Sequence, residues 1–111
     1  MTEINLAEGE KAIFIRVLQD RLDGASVLLA EVRAGDYMKS TIELVEIDLE
    51  SVEYINSLGI TELVTLKRLF SEASLHPVQM RLLNVDRRVN AILELLEIHK
   101  MADVRLRDSD R

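Results

Sequence analysis

Hydrophobic residues along this chain recur with two periods, and the switches between them lay out the elements. Residues 12–18, AIFIRVL, are rich in β-branched side chains and read as a strand. A weaker alternation over Glu3–Ala7 predicts a short edge strand before it. Glu8-Gly9-Glu10-Lys11 predicts a hairpin turn in which Gly9 takes a positive φ. After the polar step from Gln19 to Gly24, a helix is expected over about residues 25–38, capped by Asp23 or Ser26 and weakened near its end by Gly35. Thr41–Leu49 is the next strand, with Ile42, Leu44, Val45, Ile47 and Leu49 set among Glu43, Glu46 and Asp48.

The period then changes. From about Leu58 to Ala73, Ile60, Leu63, Val64, Leu66, Leu69 and Phe70 fall three and four apart, the stripe of a half-buried helix. Glu62, Thr65, Lys67, Arg68 and Glu72 are expected mainly on the other side. Ser74-Leu75-His76-Pro77 breaks the helix, because proline forces the residue before it into extended backbone. Val78–Val85 is a strand, and Asp86 caps a last helix over about residues 87–99 with Val89, Ile92, Leu93 and Leu96 on one face. Val104-Arg105-Leu106 is a final short strand, and residues 107–111 form a charged tail expected to be loose.

The order ββαβαβαβ puts crossover helices between strands. That predicts an α/β domain with a small mixed sheet of four to five strands and helices packed mainly on one face. The 111 residues suit a single domain, 1–111, with a core over about 12–106 and no linker or internal repeat.

Composition narrows the chemistry. Trp is absent and aromatics make up 4%, so the core is aliphatic. The absence of Cys excludes disulfides, thiolate metal sites and cysteine nucleophiles. A net charge of -6 argues against nucleic acid and anionic lipid as partners. The polar, acidic N-terminus is not a signal peptide, and no apolar run approaches the roughly 18 residues of a membrane span, so a cytoplasmic location without direct membrane insertion is expected. His76 and His99 have no neighbouring ligands at metal spacing, and Gly24, Gly35 and Gly59 form no phosphate-cradling pattern. No catalytic residue, metal or cofactor is expected. Glu46 and Asp48 share one strand face, which a solvated sheet surface explains more simply than acid–base catalysis.

One position stands apart. Asn56-Ser57-Leu58-Gly59 lies where the strand Thr41–Leu49 gives way to a helix. Ser57 has two readings there. It is a helix cap, its hydroxyl accepting from an orphan backbone N–H. Or it is a phosphorylation site, since the helix N-terminus favours an added phosphate of about -1.5 to -2 charge. Asp48, Glu50, Glu53 and Glu62 are expected to make the surrounding field negative, and the added phosphate would repel a docked partner without refolding.

Taken together, IELVEIDLESVEYI, NSLGITELVTLKRLF and VQMRLLNVDRRVNAILELLEI, with Gln19-Asp20-Arg21-Leu22-Asp23 after the second strand, resemble the STAS domain, the family of anti-sigma factor antagonists. The resemblance spans about residues 12–106. It implies a non-enzymatic partner-switching regulator of transcription in bacteria, with Ser57 matching the phosphorylated serine. The unphosphorylated form would bind a serine kinase that doubles as an anti-sigma factor, and a PP2C-type phosphatase would reset it. It also implies a docking surface of Asp23, Asn56, Ser57, Leu58, Gly59, Ile60, Thr61 and Glu62, on a monomer or weak dimer.

This sequence departs from the family pattern at three places. Asn56 stands at the family's usual Asp, and Leu58 at its second Ser. Glu97 replaces a glycine, so the last helix is expected to end differently. STAS domains also serve as subunits of signalling and lipid-transport assemblies, which leaves a non-switching scaffold, with Ser57 only a helix cap, as the alternative.

Overall fold

The computed structural model describes residues 2–24 and 28–108. Five strands form one sheet in the order β1-β2-β4-β6-β7: β1 (Thr2–Leu6), β2 (Ala12–Val17), β4 (Leu44–Asp48), β6 (Gln79–Val85) and β7 (Asp103–Leu106). β1 runs antiparallel to β2, and every other pairing in this sheet is parallel. β3 (Arg21–Leu22) and β5 (Tyr54–Ile55) make a separate parallel pair. The helices are α1 (Leu28–Ala34), α2 (Ser57–Ala73) and α3 (Arg87–Leu95), with 3-10 turns at Glu8–Glu10 and Ile98–Lys100. The five main strands and three helices follow the expected ββαβαβαβ order.

Strand alternation builds the core in rows. Ile4, Ile15, Ile47, Leu82 and Val104 are register partners across all five strands, and Leu6, Ile13, Val45 and Met80 form the row beside them. The central members of both rows are buried. Onto this face pack Leu28 and Val32 of α1, Ile60, Leu63, Leu66 and Phe70 of α2, and Val89 and Leu93 of α3. The opposite face is polar. Arg16 bridges Glu3 (3.9 Å) and Asp48 (3.5 Å), and Arg81 bridges Glu46 (3.1 Å) and Asp103 (3.4 Å). Glu46 and Asp48 are therefore members of a cross-strand charge ladder on the open side of the sheet.

Several expected boundaries move. Among the described residues the first helix is Leu28–Ala34, and it stops short of Met38 at Gly35, where the Tyr37 ring folds back so closely that a Cβ would lie 2.1 Å from it. The proposed cap Ser26 lies outside the described residues. β4 begins at Leu44, and the N–H groups of Glu43 (2.7 Å) and Leu44 (3.2 Å) both donate to the Lys11 carbonyl where the chain enters the strand. Gly9 takes the expected positive φ (81°), and Glu10 follows it at 56°. The last helix stops at Leu95 instead of His99. Glu97, at the place of the family's glycine, itself adopts the left-handed conformation, φ 58° and ψ 32°. Nor is the chain loose from residue 107. Arg107 N–H donates to the Val85 carbonyl (3.0 Å), and its guanidinium meets Asp86 (3.5 Å) and the Glu50 carbonyl. The rest of the tail, 109–111, lies outside the described residues.

Candidate functional site

The junction between β5 and α2 is held by a piece of structure that the hydrophobic pattern did not show. Val52 is buried and donates its N–H to the Leu49 carbonyl (3.0 Å), which turns the chain sharply after β4. Tyr54 and Ile55 then pair with Arg21 and Leu22, and the Arg21 guanidinium lies 4.2 Å from the centroid of the Tyr54 ring. Asn56 N–H donates to the Leu22 carbonyl (3.3 Å). Gly59 sits against that same carbonyl, so closely that a Cβ would be 1.9 Å from the oxygen. The β3–β5 pair therefore sets where α2 begins and how near it approaches the loop after β2.

Asn56 is the N-cap of α2. Its backbone is extended, and its Oδ1 accepts from the N–H groups of Leu58 (3.0 Å) and Gly59 (3.1 Å). Its Nδ2 reaches the Asp23 carbonyl at 3.5 Å, which ties the two loops together. The reading of Ser57 as helix cap is thus corrected. Ser57 is the first residue inside the helix and is exposed, and the cap belongs to the residue before it. The sequence contained that signal, because Asn ranks with Ser among capping residues and a shift of one position is all that separates the two readings.

The structure places the other named residues unequally. Leu58 is 58% exposed and Thr61 is exposed, its hydroxyl donating to the Ser57 carbonyl (2.9 Å). Asp23 is half-buried and paired with Arg21 (3.2 Å). Gly59 and Ile60 are buried, and so is Glu62, which was expected on the solvent side of the helix. The negative field expected around Ser57 is also thinner than the sequence implied. Asp48 belongs to the open sheet face, where it faces Arg16 and accepts from Asn84 Nδ2 (3.1 Å).

A groove of about 570 Å³ opens beside Ser57, lined by Gly24, Leu29, Ala30, Arg33, Leu58, Thr61 and Glu62. Leu58 forms its wall by packing on Gly24, where a Cβ would come within 2.6 Å of the Leu58 Cβ. Leu29, Ala30 and Arg33 of α1 were not singled out from the sequence. The contact between α1 and α2 that brings them here joins elements about 30 residues apart, which no local periodicity encodes.

A second polar centre lies at the start of α3. Asp86 is buried and caps the helix, accepting from Arg88 N–H (2.7 Å) while pairing with the guanidinium of Arg88 (3.0 Å) and that of Arg107 (3.5 Å). The Arg88 hydrogen bond, partly opposed by burial and aided by the charge of Arg107, holds its carboxyl down at about 2. Among the described residues no group of three His, Cys, Asp or Glu is placed to hold a metal ion, and no helix is long and apolar enough to cross a membrane.

Comparison with known proteins agrees with this architecture. The sequence pattern of the STAS domain family matches residues 5–109. No curated protein matches the chain in sequence. Among solved structures, a Thermotoga maritima protein provisionally described as an anti-sigma factor antagonist superposes with a TM-score of 0.69 at 16% identity, covering 98% of this chain and 89% of that one. The anti-sigma factor antagonist SpoIIAA in its unphosphorylated form gives 0.58 at 13% identity, covering 96% and 87%. The murine anion transporter solute carrier 26 family member A9 gives 0.68 at 16% identity, over 90% of this chain but 17% of the transporter. At these identities the likeness is one of fold.

Proposed function

This chain belongs to the STAS domain family, and we propose that it is a partner-switching regulator of the anti-sigma factor antagonist kind, controlled by phosphorylation of Ser57. The observation that carries this reading is the division of labour at the α2 N-terminus. Asn56 does the capping, so the Ser57 hydroxyl is exposed and can be modified without removing the cap. The first-turn amides of Leu58 and Gly59 already have an acceptor in Asn56. A phosphate on Ser57 is therefore favoured by the helix dipole, worth about 0.3–1 kcal/mol at an exposed site. It projects from the surface, without drawing the loop into a new conformation. It acts by charge and bulk on whatever docks there.

In this reading the unphosphorylated form binds a serine kinase that is also an anti-sigma factor. Asp23, Asn56, Ser57, Leu58 and Thr61 present the surface, while Gly59, Ile60 and Glu62 hold it from beneath. A PP2C-type phosphatase returns the protein to the binding form. The chain itself performs no catalysis, uses no cofactor and works in the cytoplasm. Support comes from the family and from the two structural neighbours named as anti-sigma factor antagonists. The test is to mix the purified chain with the candidate kinase and ATP. One phosphate should be found on Ser57, and Ser57→Asp should lose the complex that Ser57→Ala retains.

The competing reading is a constitutive STAS subunit of a larger assembly. It is favoured by the departures at Asn56 and Leu58 and by the fold shared with a transporter. It predicts that Ser57→Asp and Ser57→Ala bind alike.

A further inference from the structure

One edge of the main sheet is β1, and its register with β2 sorts its backbone groups into two sets. Ala7 N–H donates to the Ala12 carbonyl (2.9 Å), which makes these two residues a hydrogen-bonded pair of the antiparallel ladder. Such pairs alternate along the strands, and the register runs without a shift from Thr2 opposite Val17 to Leu6 opposite Ile13. Glu3 and Asn5 therefore turn their N–H and C=O groups towards β2. Thr2, Ile4 and Leu6 turn theirs outward, where no backbone partner meets them among the described residues.

The side chains of this edge do not guard it. Edge strands resist pairing by carrying charge, proline or a bulge. The opposite edge does so: β7 holds Asp103 and Arg105 among its residues, and its register against β6 shifts between Leu82 and Val85. β1 reads TEINL and its ladder is regular. Glu3 is its charged residue, and that carboxylate already lies 3.9 Å from the Arg16 guanidinium. Ile4 and Leu6 pack against the core but remain half-buried, so the core side of the edge row is incompletely covered.

A second β1 running antiparallel satisfies the outward groups, and one register does so best. Two-fold pairing centred on Ile4 sets Ile4 against the other copy's Ile4, and Thr2 against the other copy's Leu6 at each end. Every outward residue then belongs to a hydrogen-bonded pair with two bonds. Centring on Glu3 or Asn5 leaves one outward residue without a partner in the strand, and the Glu3 centre also opposes two carboxylates. The Ile4 register is equally well matched in its side chains. On the core side it continues the row of Ile4, Ile15, Ile47, Leu82 and Val104 from one copy into the next. On the open side Glu3 faces the other copy's uncharged Asn5, so no like charges are opposed. α1 overlies this edge, where the Thr2 hydroxyl donates to Glu31. The two Thr2 residues are offset by four positions along the paired strands, about 13 Å. Their Glu31 carboxylates are thus separated by more than the screening length of about 8 Å. We infer that the β1 edge is a self-association surface whose occupant is a second copy of this chain, joined strand to antiparallel strand about Ile4 into one continuous sheet. The contact is isologous, so it closes at two copies. It goes beyond the switch at Ser57 and does not depend on it. Asp23, Asn56, Ser57, Leu58 and Thr61 lie outside β1 and stay open in each copy.

The test uses the full chain in sedimentation-velocity runs from low micromolar to about 1 mM, a range that spans weak association. A monomer–dimer equilibrium is expected. Asn5 is exposed, so its variants change the contact and leave the monomer folded, as circular dichroism checks. Asn5→Lys sets two opposite-charge pairs across the two-fold, with Glu3 of each copy, and should tighten the dimer by about two- to thirtyfold. Asn5→Glu sets two like-charge pairs there and should weaken it by a similar factor. Amide hydrogen exchange read by NMR identifies the edge itself. The Ile4 and Leu6 amides should gain protection as concentration rises, whereas those of Glu3 and Asn5, already bonded to β2, should be protected throughout. A chain that stays monomeric across the range overturns the inference. So does a dimer whose Ile4 and Leu6 amides exchange as fast as in the monomer, or one that Asn5→Lys and Asn5→Glu do not shift in opposite directions.

Discussion

Replacing Asn56 by alanine should destabilise the domain, whereas replacing Ser57 should not. Asn56 Oδ1 accepts two backbone N–H groups at 3.0 and 3.1 Å, which otherwise have no intrahelical acceptor. Loss of such a cap costs about 1 kcal/mol on average, within a range of roughly 0.5–2. The Nδ2 contact to the Asp23 carbonyl at 3.5 Å is at the limit of hydrogen bonding and adds a few tenths at most. The total for Asn56→Ala is about 1–2 kcal/mol, or about 4–8 °C in Tm for a domain near this size. Ser57 is an exposed position inside the first turn, where alanine is the better helix former, so Ser57→Ala should fall between neutral and a gain of about 0.5 kcal/mol. Asn56→Asp keeps the acceptor and adds charge at the favourable end of the dipole, and should remain within about 1 kcal/mol of the wild type. Urea unfolding followed by far-ultraviolet circular dichroism, with equal slopes for all four proteins, measures these differences. If Ser57→Ala cost 1 kcal/mol or more while Asn56→Ala were neutral, the assignment of the cap would be refuted. The physical case for an unencumbered hydroxyl at position 57 would go with it.

Three further outcomes follow from the geometry. Gly59→Ala drives a methyl into the Leu22 carbonyl and should cost about 2–4 kcal/mol, combining overpacking with loss of the Asn56–Leu22 bond; equilibrium unfolding showing less than 1 kcal/mol would contradict the close approach of α2 to β3. Asp86 has its carboxyl held at about 2, below the ordinary 3.8, so its contribution is complete above the unfolded value and fades as pH falls through 3.8 towards 2. Between pH 5 and pH 2 the wild type should lose about 2 kcal/mol more than Asp86→Asn in urea titrations; parallel pH profiles would show that the arginines do not hold the carboxylate. Glu97→Gly relieves a left-handed non-glycine residue and should raise stability by about 0.5–1 kcal/mol, read as a higher urea midpoint at unchanged slope; a lower midpoint would mean that the Glu97 side chain contributes more than the strain it carries.

The parts of this fold that were legible in the sequence are those whose signal repeats locally. Ile13, Ile15 and Val17 alternate with exposed residues because one face of β2 is covered, and that alternation predicts the strand directly. The stripe from Ile60 to Phe70 predicts α2 in the same way. What was not legible depends on contacts between distant segments. β3 and β5 are two residues each, too short for any period, and exist because Leu22 and Ile55 meet across 33 positions. Glu62 was assigned to the polar side from its chemistry, yet it is buried and lines the groove shared with Leu29, Ala30 and Arg33 of α1. Arg107 reads as tail and is anchored by Asp86 and Glu50, 21 and 57 positions away. At the candidate site the motif Asn56-Ser57-Leu58-Gly59 was found, but the roles within it shifted by one residue. Glycine at 59 proved to be required by contact with a backbone carbonyl, a constraint visible only once β3 is in place.

The most direct measurement of the proposed switch is quantitative mass spectrometry of complexes recovered from the native host with tagged wild type, Ser57→Ala and Ser57→Asp. The account predicts one phosphate on Ser57 in a fraction of the wild-type chain. It also predicts a serine kinase that co-purifies with wild type and Ser57→Ala and is depleted about tenfold or more with Ser57→Asp. An unphosphorylated Ser57 together with identical partners for all three proteins would contradict it.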